Sequence, residues 1–460
     1  MELSPPALAR LCGATIEGRA GPAAAEGPLE GISTDSREVI EGGAFVAVRG
    51  ETDDGHAYVA DAARRGARVA VVEDAWVAAS GAPPLLLRVP DTARALRQAC
   101  ETRLRELGCT VIGVTGSVGK TTAKEMIAHL LGPDGVLRTA GNLNTWTGVP
   151  LSVLRADGRP AHFVAEMGMS APGEIADLCE FTHPSVGVLL NIGVSHLELL
   201  GSRAAIAAAK AELLRALPAT GLAVCNRDDE AVAAVVGQTE ARVVWFGTTA
   251  AASYRAEVVE DLGLRGTRLH LTVPGGEAET LLPAPGRHLA AAAAAACAVA
   301  VELGRPLEQV AARLAGFSAV EQRGTVSRGA RGATVIDDSY NSAPASLIAA
   351  LDLLAATAST ERVAVLGDML ELGAEADAAH DEAGRPAAAA ATLLIAVGDH
   401  APSLAAAAVR AGLPAERALV AADAEAAARL ALAACSPHTT VLVKGSHSLH
   451  LERVVERLLR

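Results

Sequence analysis

The stretch Val111–Thr122, VIGVTGSVGKTT, constrains this chain more than any other. Its apolar start, Val111–Val114, predicts a buried strand; Gly116, Ser117, Val118 and Gly119 predict a tight loop, and Lys120–Leu131 a helix. Strand, glycine-rich loop and helix in that order aim backbone N–H groups at a phosphate. Lys120 then reaches the β/γ-phosphates, and the hydroxyl of Thr121, followed by Thr122, suits Mg²⁺. The generic phosphate loop has four residues between its first Gly and Gly-Lys. Here five separate Gly113 from Gly119, so the pattern is the narrower T-G-S-x-G-K-T-T.

A chain of 460 residues exceeds one ordinary domain, and about three are expected. Half the residues are hydrophobic but only 2% are aromatic, so the cores must be built from Ala, Leu and Val. A net charge of −13 and a pI near 5.5 argue against a nucleic-acid-binding face. Seven cysteines without a C-x-x-C pair suit a reducing cytosol and offer no zinc site; Cys109 and Cys297 read as small core residues. The first residues, MELSPPALARLCG, lack the order of a signal peptide. The longest apolar run, Leu289–Val301, is mostly Ala and too short to span a bilayer, so it reads as a buried helix and no membrane insertion is expected.

Alternating patterns divide the chain into three α/β units, 1–88, 89–318 and 319–460. In the first, Gly43–Val48 and Ala67–Glu73 read as strands, Ala57–Arg65 as a helix, and Gly81–Pro90 as a closing segment. Helix Thr92–Leu107 leads into the phosphate-loop strand. The second unit continues with strands Phe163–Glu166, Val186–Asn191 and Leu222–Asn226, whose final polar residues should point toward a nucleotide. Val244–Leu282 reads as an antiparallel extension. The third unit has strands Thr334–Asp337, Val363–Leu366, Leu393–Val397 and Thr440–Val443 between Ala-rich helices, with no phosphate loop of its own.

Several constellations add chemistry. Glu166, in AEMGMS, is a carboxylate at a strand end and can hold Mg²⁺. His196, in NIGVSHLELLGS, is a candidate metal or phosphate ligand. Lys210 lies in an Ala-rich helix; buried, such a lysine can react as the neutral amine. ATVIDDSYNSAPASL sets Asp337, Asp338, Tyr340 and Asn341 at the end of a strand, before a helix from about Ala345. Lys444 and Ser446, in VLVKGSHSLHLERV, are expected to face a cleft between units, and Arg323 at the junction of units two and three can pair with a phosphate.

The order of these motifs resembles the Mur ligase family, the ATP-dependent amino-acid ligases of peptidoglycan synthesis, nearly end to end. TGSVGKTT, GNLNTWTGVP, EMG, NIGVSHLE and the Lys210 helix are similar to the family's central domain. STDSREVIEGGAFVAVRGETDDGHAYV looks like the uridine-nucleotide domain, and DDSYNSAPASL, VLGDMLELG and VLVKGSHSLHLERV resemble the D-alanyl-D-alanine-adding branch. The resemblance implies a small α/β uridine-nucleotide domain, a central P-loop parallel-sheet ATPase domain and a C-terminal Rossmann-like α/β domain. It implies a cytoplasmic monomer that joins UDP-N-acetylmuramoyl-tripeptide to D-alanyl-D-alanine through an acyl phosphate. Thr121 and Glu166 would hold one Mg²⁺; His196 and a carbamylated Lys210 would hold a second. Ser33, Asp35, Ser36 and Arg37 would bind the uridine nucleotide, with Asn142 and Asn144 near acceptor and ATP. Arg323, Asp338, Tyr340 and Asn341 would bring the third domain onto ATP and the dipeptide.

The chain also departs from the family pattern. GRHLAAAAAA puts Leu289 and Ala292 where the family often has asparagines, and Leu and Ala cannot read an adenine edge. Ser342-Ala343-Pro344 loses an amide after Asn341, Thr145 follows Asn144 in place of a second Asn, and His447 follows Ser446 in place of an arginine.

Overall fold

The structure is a computed structural model that describes residues 3–18, 27–50, 53–78, 80–132, 135–195 and 197–460. His196 lies outside them.

Local signals set the element that leads into the phosphate loop. The Asp91 side chain accepts the Arg94 N–H, and Gly108 turns left-handed (φ 64°) after the last turn, so the helix is Thr92–Leu107, as the sequence predicts. The loop strand runs Thr110–Thr115, and Lys120–Leu131 follows as a helix behind Gly119, whose φ of 80° suits a residue without Cβ.

Among the described residues the strands form three sheets, of five, nine and six strands. The first runs, in spatial order, Thr15–Gly18, Leu85–Val89, Val69–Glu73, Ala44–Val46 and Ile32–Ser33; its first pair is antiparallel and the rest parallel. Leu85–Val89, within the segment read only as a closing stretch, is one of its central strands. Its Leu side chains are buried on both faces, as a covered parallel strand requires.

The second sheet runs Gly276–Leu282, Thr267–Val273, Tyr254–Asp261, Arg242–Gly247, Leu222–Asn226, Val186–Leu189, Thr110–Thr115, His162–Glu166 and Val136–Arg138. Thr110–Thr115 lies between Val186–Leu189 and His162–Glu166, where the strand order reverses, and its C-terminal end opens into the phosphate loop. The antiparallel extension begins later than expected: Arg242–Gly247 is still parallel to its neighbour, and antiparallel pairing starts between Tyr254–Asp261 and Thr267–Val273. Helix Leu289–Glu302 lies against this sheet and against the phosphate-loop helix. Most of its alanines are buried in one cluster with Met126, Ile127 and Leu130, which is how a core so poor in aromatic residues closes. Cys297 joins that cluster, whereas Cys109 is only half-buried at a strand entry, contrary to its reading as a core residue.

The third sheet runs Thr325–Arg328, Thr334–Asp338, Thr439–Lys444, Glu361–Gly367, Leu393–Val397 and Ala418–Ala421, antiparallel only at the first pair. Asp338 and Lys444 are register partners at the C-terminal ends of adjacent parallel strands. A backbone bond from Glu198 N–H to the Glu371 carbonyl (3.2 Å) ties this unit to the central one. Arg155 ties the central unit to the first by donating from Nε and Nη2 to the Ile32 carbonyl at 2.9 and 2.7 Å.

Candidate active site

A cavity of about 960 Å³ lies where the C-terminal ends of the second and third sheets meet. The central unit contributes Ser117–Thr122, Asn142, Asn144, Glu166, Asn191 and Asn226. From the junction and third unit come Arg323, Asp338, Tyr340, Asn341, Lys444 and Ser446. Sequence-distant motifs predicted to act together thus share one space.

The loop is braced from behind. Asn191 lies two residues past the strand end at Leu189, not in the strand. Its Oδ1 accepts the Val118 N–H at 2.9 Å, its Nδ2 donates to the Val118 carbonyl at 3.0 Å, and its own carbonyl accepts the Ser117 N–H at 3.1 Å. The Ser117 Oγ accepts the Gly193 N–H at 2.8 Å. Asn226 is likewise structural: it donates to the Leu190 carbonyl at 2.8 Å and accepts from Asp228 N–H at 2.9 Å. Both line the cavity as expected, and these bonds give each a bracing role as well. The N–H groups left for an anion include those of the first helical turn, Lys120, Thr121 and Thr122. Gly116 belongs to the cradle through its carbonyl, which accepts Lys120 Nζ at 2.8 Å.

Glu166 is buried, 2% exposed. Its Oε1 accepts from Asn144 Nδ2 at 2.9 Å and its backbone N–H donates to Thr139 Oγ1 at 3.0 Å, but Oε2 has no hydrogen-bond partner. A buried carboxylate oxygen without a donor, in a cavity that Thr121 also lines, suits a hard cation, so the residues present fit Mg²⁺. Burial lowers the Lys120 pKa, Glu166 opposing the shift and Arg323 adding to it. Lys210 is 1% exposed and makes no hydrogen bond or ion pair among the described residues. Burial first, then the charge of Lys120, drives its pKa well below the usual 10.5.

The third-unit residues are organised among themselves. Lys444 Nζ donates to Asp338 Oδ2 at 2.6 Å and to the Asn341 carbonyl at 2.9 Å, so it is locked into its own unit rather than free in the cleft. Ser446 Oγ accepts the Leu370 N–H at 3.0 Å and so holds the DMLEL loop. Asp337, pushed up by burial, accepts from the backbone and hydroxyl of Ser339. Tyr340 lies between the Arg323 guanidinium, 4.2 Å from its ring centre, and the His447 ring at 5.4 Å, and its hydroxyl meets Asn142 of the central unit. The apolar wall near the loop includes Phe246, Leu289 and Ala292.

Ser33, Asp35, Ser36 and Arg37 do not line this cavity. Ser33 Oγ accepts the Asp35 N–H at 3.0 Å, Ser36 donates to Asp61, and Arg37 holds Asp35, keeping that carboxyl below its usual range. Lys124 was missed. Fully buried, it donates from Nζ to the Thr139 carbonyl at 2.7 Å and lies 3.9 Å from Glu166 Oε2. Its signal was its spacing, one helical turn beyond Lys120 on the same face.

Family models match residue ranges along most of the chain: Mur ligase family, catalytic domain, at 28–111; Mur ligase middle domain at 114–300; and Mur ligase, glutamate ligase domain, at 322–447. UDP-N-acetylmuramoyl-tripeptide–D-alanyl-D-alanine ligase of Escherichia coli K12 is 36% identical over 436 residues, 94% of both chains. The chain belongs to the Mur ligase family. Among solved structures, a MurF from Acinetobacter baumannii superposes on this Mur ligase with TM-score 0.87 and 29% identity, covering 100% of this chain and 99% of that one. MurF from Thermotoga maritima in complex with ADP follows with TM-score 0.77 and 28% identity over 93% and 97%. The three α/β units of this Mur ligase therefore have the family's architecture.

Proposed function

We propose that this Mur ligase adds D-alanyl-D-alanine to UDP-N-acetylmuramoyl-tripeptide, giving the pentapeptide precursor, ADP and phosphate. The observation that carries the reading is the shared cavity. A phosphate loop and Glu166 stand on one side of it, and Asp338, Tyr340, Asn341 and Lys444 on the other. The tripeptide carboxylate attacks the γ-phosphorus of ATP, ADP leaves, and the dipeptide amine displaces phosphate from the resulting acyl phosphate.

Lys120 and the first-turn N–H groups position the triphosphate. Thr121 and Glu166 would hold one Mg²⁺; His196 and Lys210 would hold a second. The metal, when bound, offsets repulsion between carboxylate and triphosphate. For Lys210 to serve, its neutral amine adds to CO₂ and loses a proton, leaving a carbamate anion; burial and the depressed pKa favour the amine that this needs. Tyr340, held by Arg323 and His447 and touching Asn142, closes the third unit onto the central one. We assign 1–88 to the uridine nucleotide, with Ser33, Asp35, Ser36 and Arg37 in contact. ATP is assigned to 89–318 and the dipeptide and closure to 319–460. The site of action is the cytoplasm, and the working unit is a monomer. Among the described residues no helix is long and apolar enough to cross a membrane.

ADP release with UDP-N-acetylmuramoyl-tripeptide, with and without D-alanyl-D-alanine, tests the reading. Turnover requiring both substrates, with a product heavier by the dipeptide, is expected. Turnover indifferent to the dipeptide would overturn it.

A further inference from the structure

We propose that Lys124 is a positioning residue that sets Glu166 for its cation, an inference that rests on the reading of Glu166 as a Mg²⁺ ligand. A lysine ammonium with no exposure at all must have its charge answered locally. Three groups answer it: the Thr139 carbonyl at 2.7 Å, the Gly141 carbonyl at 3.3 Å and Glu125 Oε1 at 3.0 Å. Glu125 has a second cation of its own, Arg138, at 2.7 Å.

The remaining charge nearby is Glu166, with Oε2 3.9 Å from the ammonium. That separation is too long for a hydrogen bond, so the Oε2 lone pairs stay available to a metal. It is short enough for a strong attraction in a buried site. Lys124 also acts through the backbone. It ties down the Thr139 and Gly141 carbonyls of the turn, and the same turn supplies Thr139 Oγ1 to the Glu166 N–H at 3.0 Å. Three residues further on, Asn144 holds Glu166 Oε1. The hydrogen bond to the Glu166 carboxylate thus comes from just beyond the turn that Lys124 anchors, and its charge faces Lys124 as well as Lys120. Lys120, one turn earlier, donates to the Gly116 carbonyl of the phosphate loop, so two turns of one helix serve the loop and the metal ligand.

Lys124→Gln tests this, because glutamine keeps a donor for the carbonyls and removes the charge. The readout is binding of a non-hydrolysable ATP analogue, by calorimetry, with and without Mg²⁺. In the wild type Mg²⁺ should tighten binding, and in K124Q that tightening should shrink about tenfold, the usual cost of losing a group that orients a metal ligand. Affinity without Mg²⁺ should be preserved. Tightening that is unchanged or larger in K124Q, or an equal loss with and without Mg²⁺, would overturn the proposal. Glu166→Gln tests the underlying reading separately: tightening that survives E166Q removes Glu166 as a ligand, whatever K124Q shows. If K124Q does not fold, the double variant K124Q/E166Q decides. Recovery of a folded, higher-melting protein supports a charge pair between the two, and failure to recover refutes it.

Discussion

Asn191 clamps a single loop residue through both of its backbone groups, accepting the Val118 N–H at 2.9 Å and donating to the Val118 carbonyl at 3.0 Å. These are the two bonds a neighbouring strand would make, supplied by one side chain. They fix the phosphate loop before any nucleotide arrives, so its ordering is not charged to binding. Asn191→Ala leaves a part-buried donor and acceptor without their partner, at a cost of about 1 kcal/mol. Because the loop then shifts, kcat/KM for ATP should fall about a hundredfold. Steady-state kinetics together with thermal melting check both halves; a variant with wild-type kinetics would show that the clamp is dispensable.

Lys210→Ala should lose nearly all ligase activity, and short carboxylic acids added to the variant should restore part of it by supplying the missing anion. The wild-type mass, measured under conditions that preserve the fold, should exceed the sequence mass by one CO₂. Full activity in the unrescued variant would end the assignment.

Lys444 pairs with Asp338 at 2.6 Å while only 2% exposed, and also holds the Asn341 carbonyl. Lys444→Met strands a partly exposed carboxylate. The loss should be about 2 kcal/mol, below the fully buried case because Asp338 keeps some water. The DDSYN turn loses its anchor as well, so KM for the dipeptide should rise. Denaturant melts and dipeptide titrations measure the two effects.

His380 accepts the Met369 N–H at Nε2 (2.9 Å) and donates from Nδ1 to the Ala376 carbonyl (2.7 Å), an arrangement that requires the neutral ring. Burial lowers its pKa below 6.5; the Ala376 carbonyl, Asp368 and Asp377 oppose the shift and the stacked His400 adds to it. The folded state then binds fewer protons than the unfolded chain. The stability involved is present above about pH 6.5 and is lost as pH falls through the lowered folded value. The loop it holds carries Leu370 and Glu371 into the cavity. His380→Gln should flatten the fall in melting temperature between pH 7.5 and 5.5. A variant with the same pH slope as wild type would dismiss the histidine.

Leu289 and Ala292 line the cavity with Phe246, and the Asn226 amide close by is already bonded to backbone. With no amide side chain at positions 289 and 292, GTP should support turnover within about a hundredfold of ATP, since discrimination by 10⁴ or more needs a dedicated hydrogen-bonding site. Leu289→Asn should widen the gap. Competition between the two triphosphates gives the ratio directly.

What the sequence determined by itself were the features carried by near neighbours in the chain. Helices Thr92–Leu107 and Lys120–Leu131 were legible to the residue, because Asp91, Gly108 and Gly119 mark their ends within one turn. Buried strands such as Leu222–Asn226 and Leu393–Val397 were legible as apolar runs. Tertiary structure alone decided the edge strands Thr15–Gly18 and Thr325–Arg328. Their mostly exposed residues carry no apolar pattern, and pairing with Leu85–Val89 and Thr334–Asp338 makes them strands.

The same division runs through the site. Lys120, Thr121 and Glu166 stand in motifs whose chemistry is local. Lys124, Asn191 and Lys444 owe their roles to partners 15, 73 and 106 residues away, at Thr139, Val118 and Asp338. A lysine in a helix looks solvated in one dimension. Only when the fold removes the water and puts a carbonyl or carboxylate within 3 Å does its charge acquire a purpose.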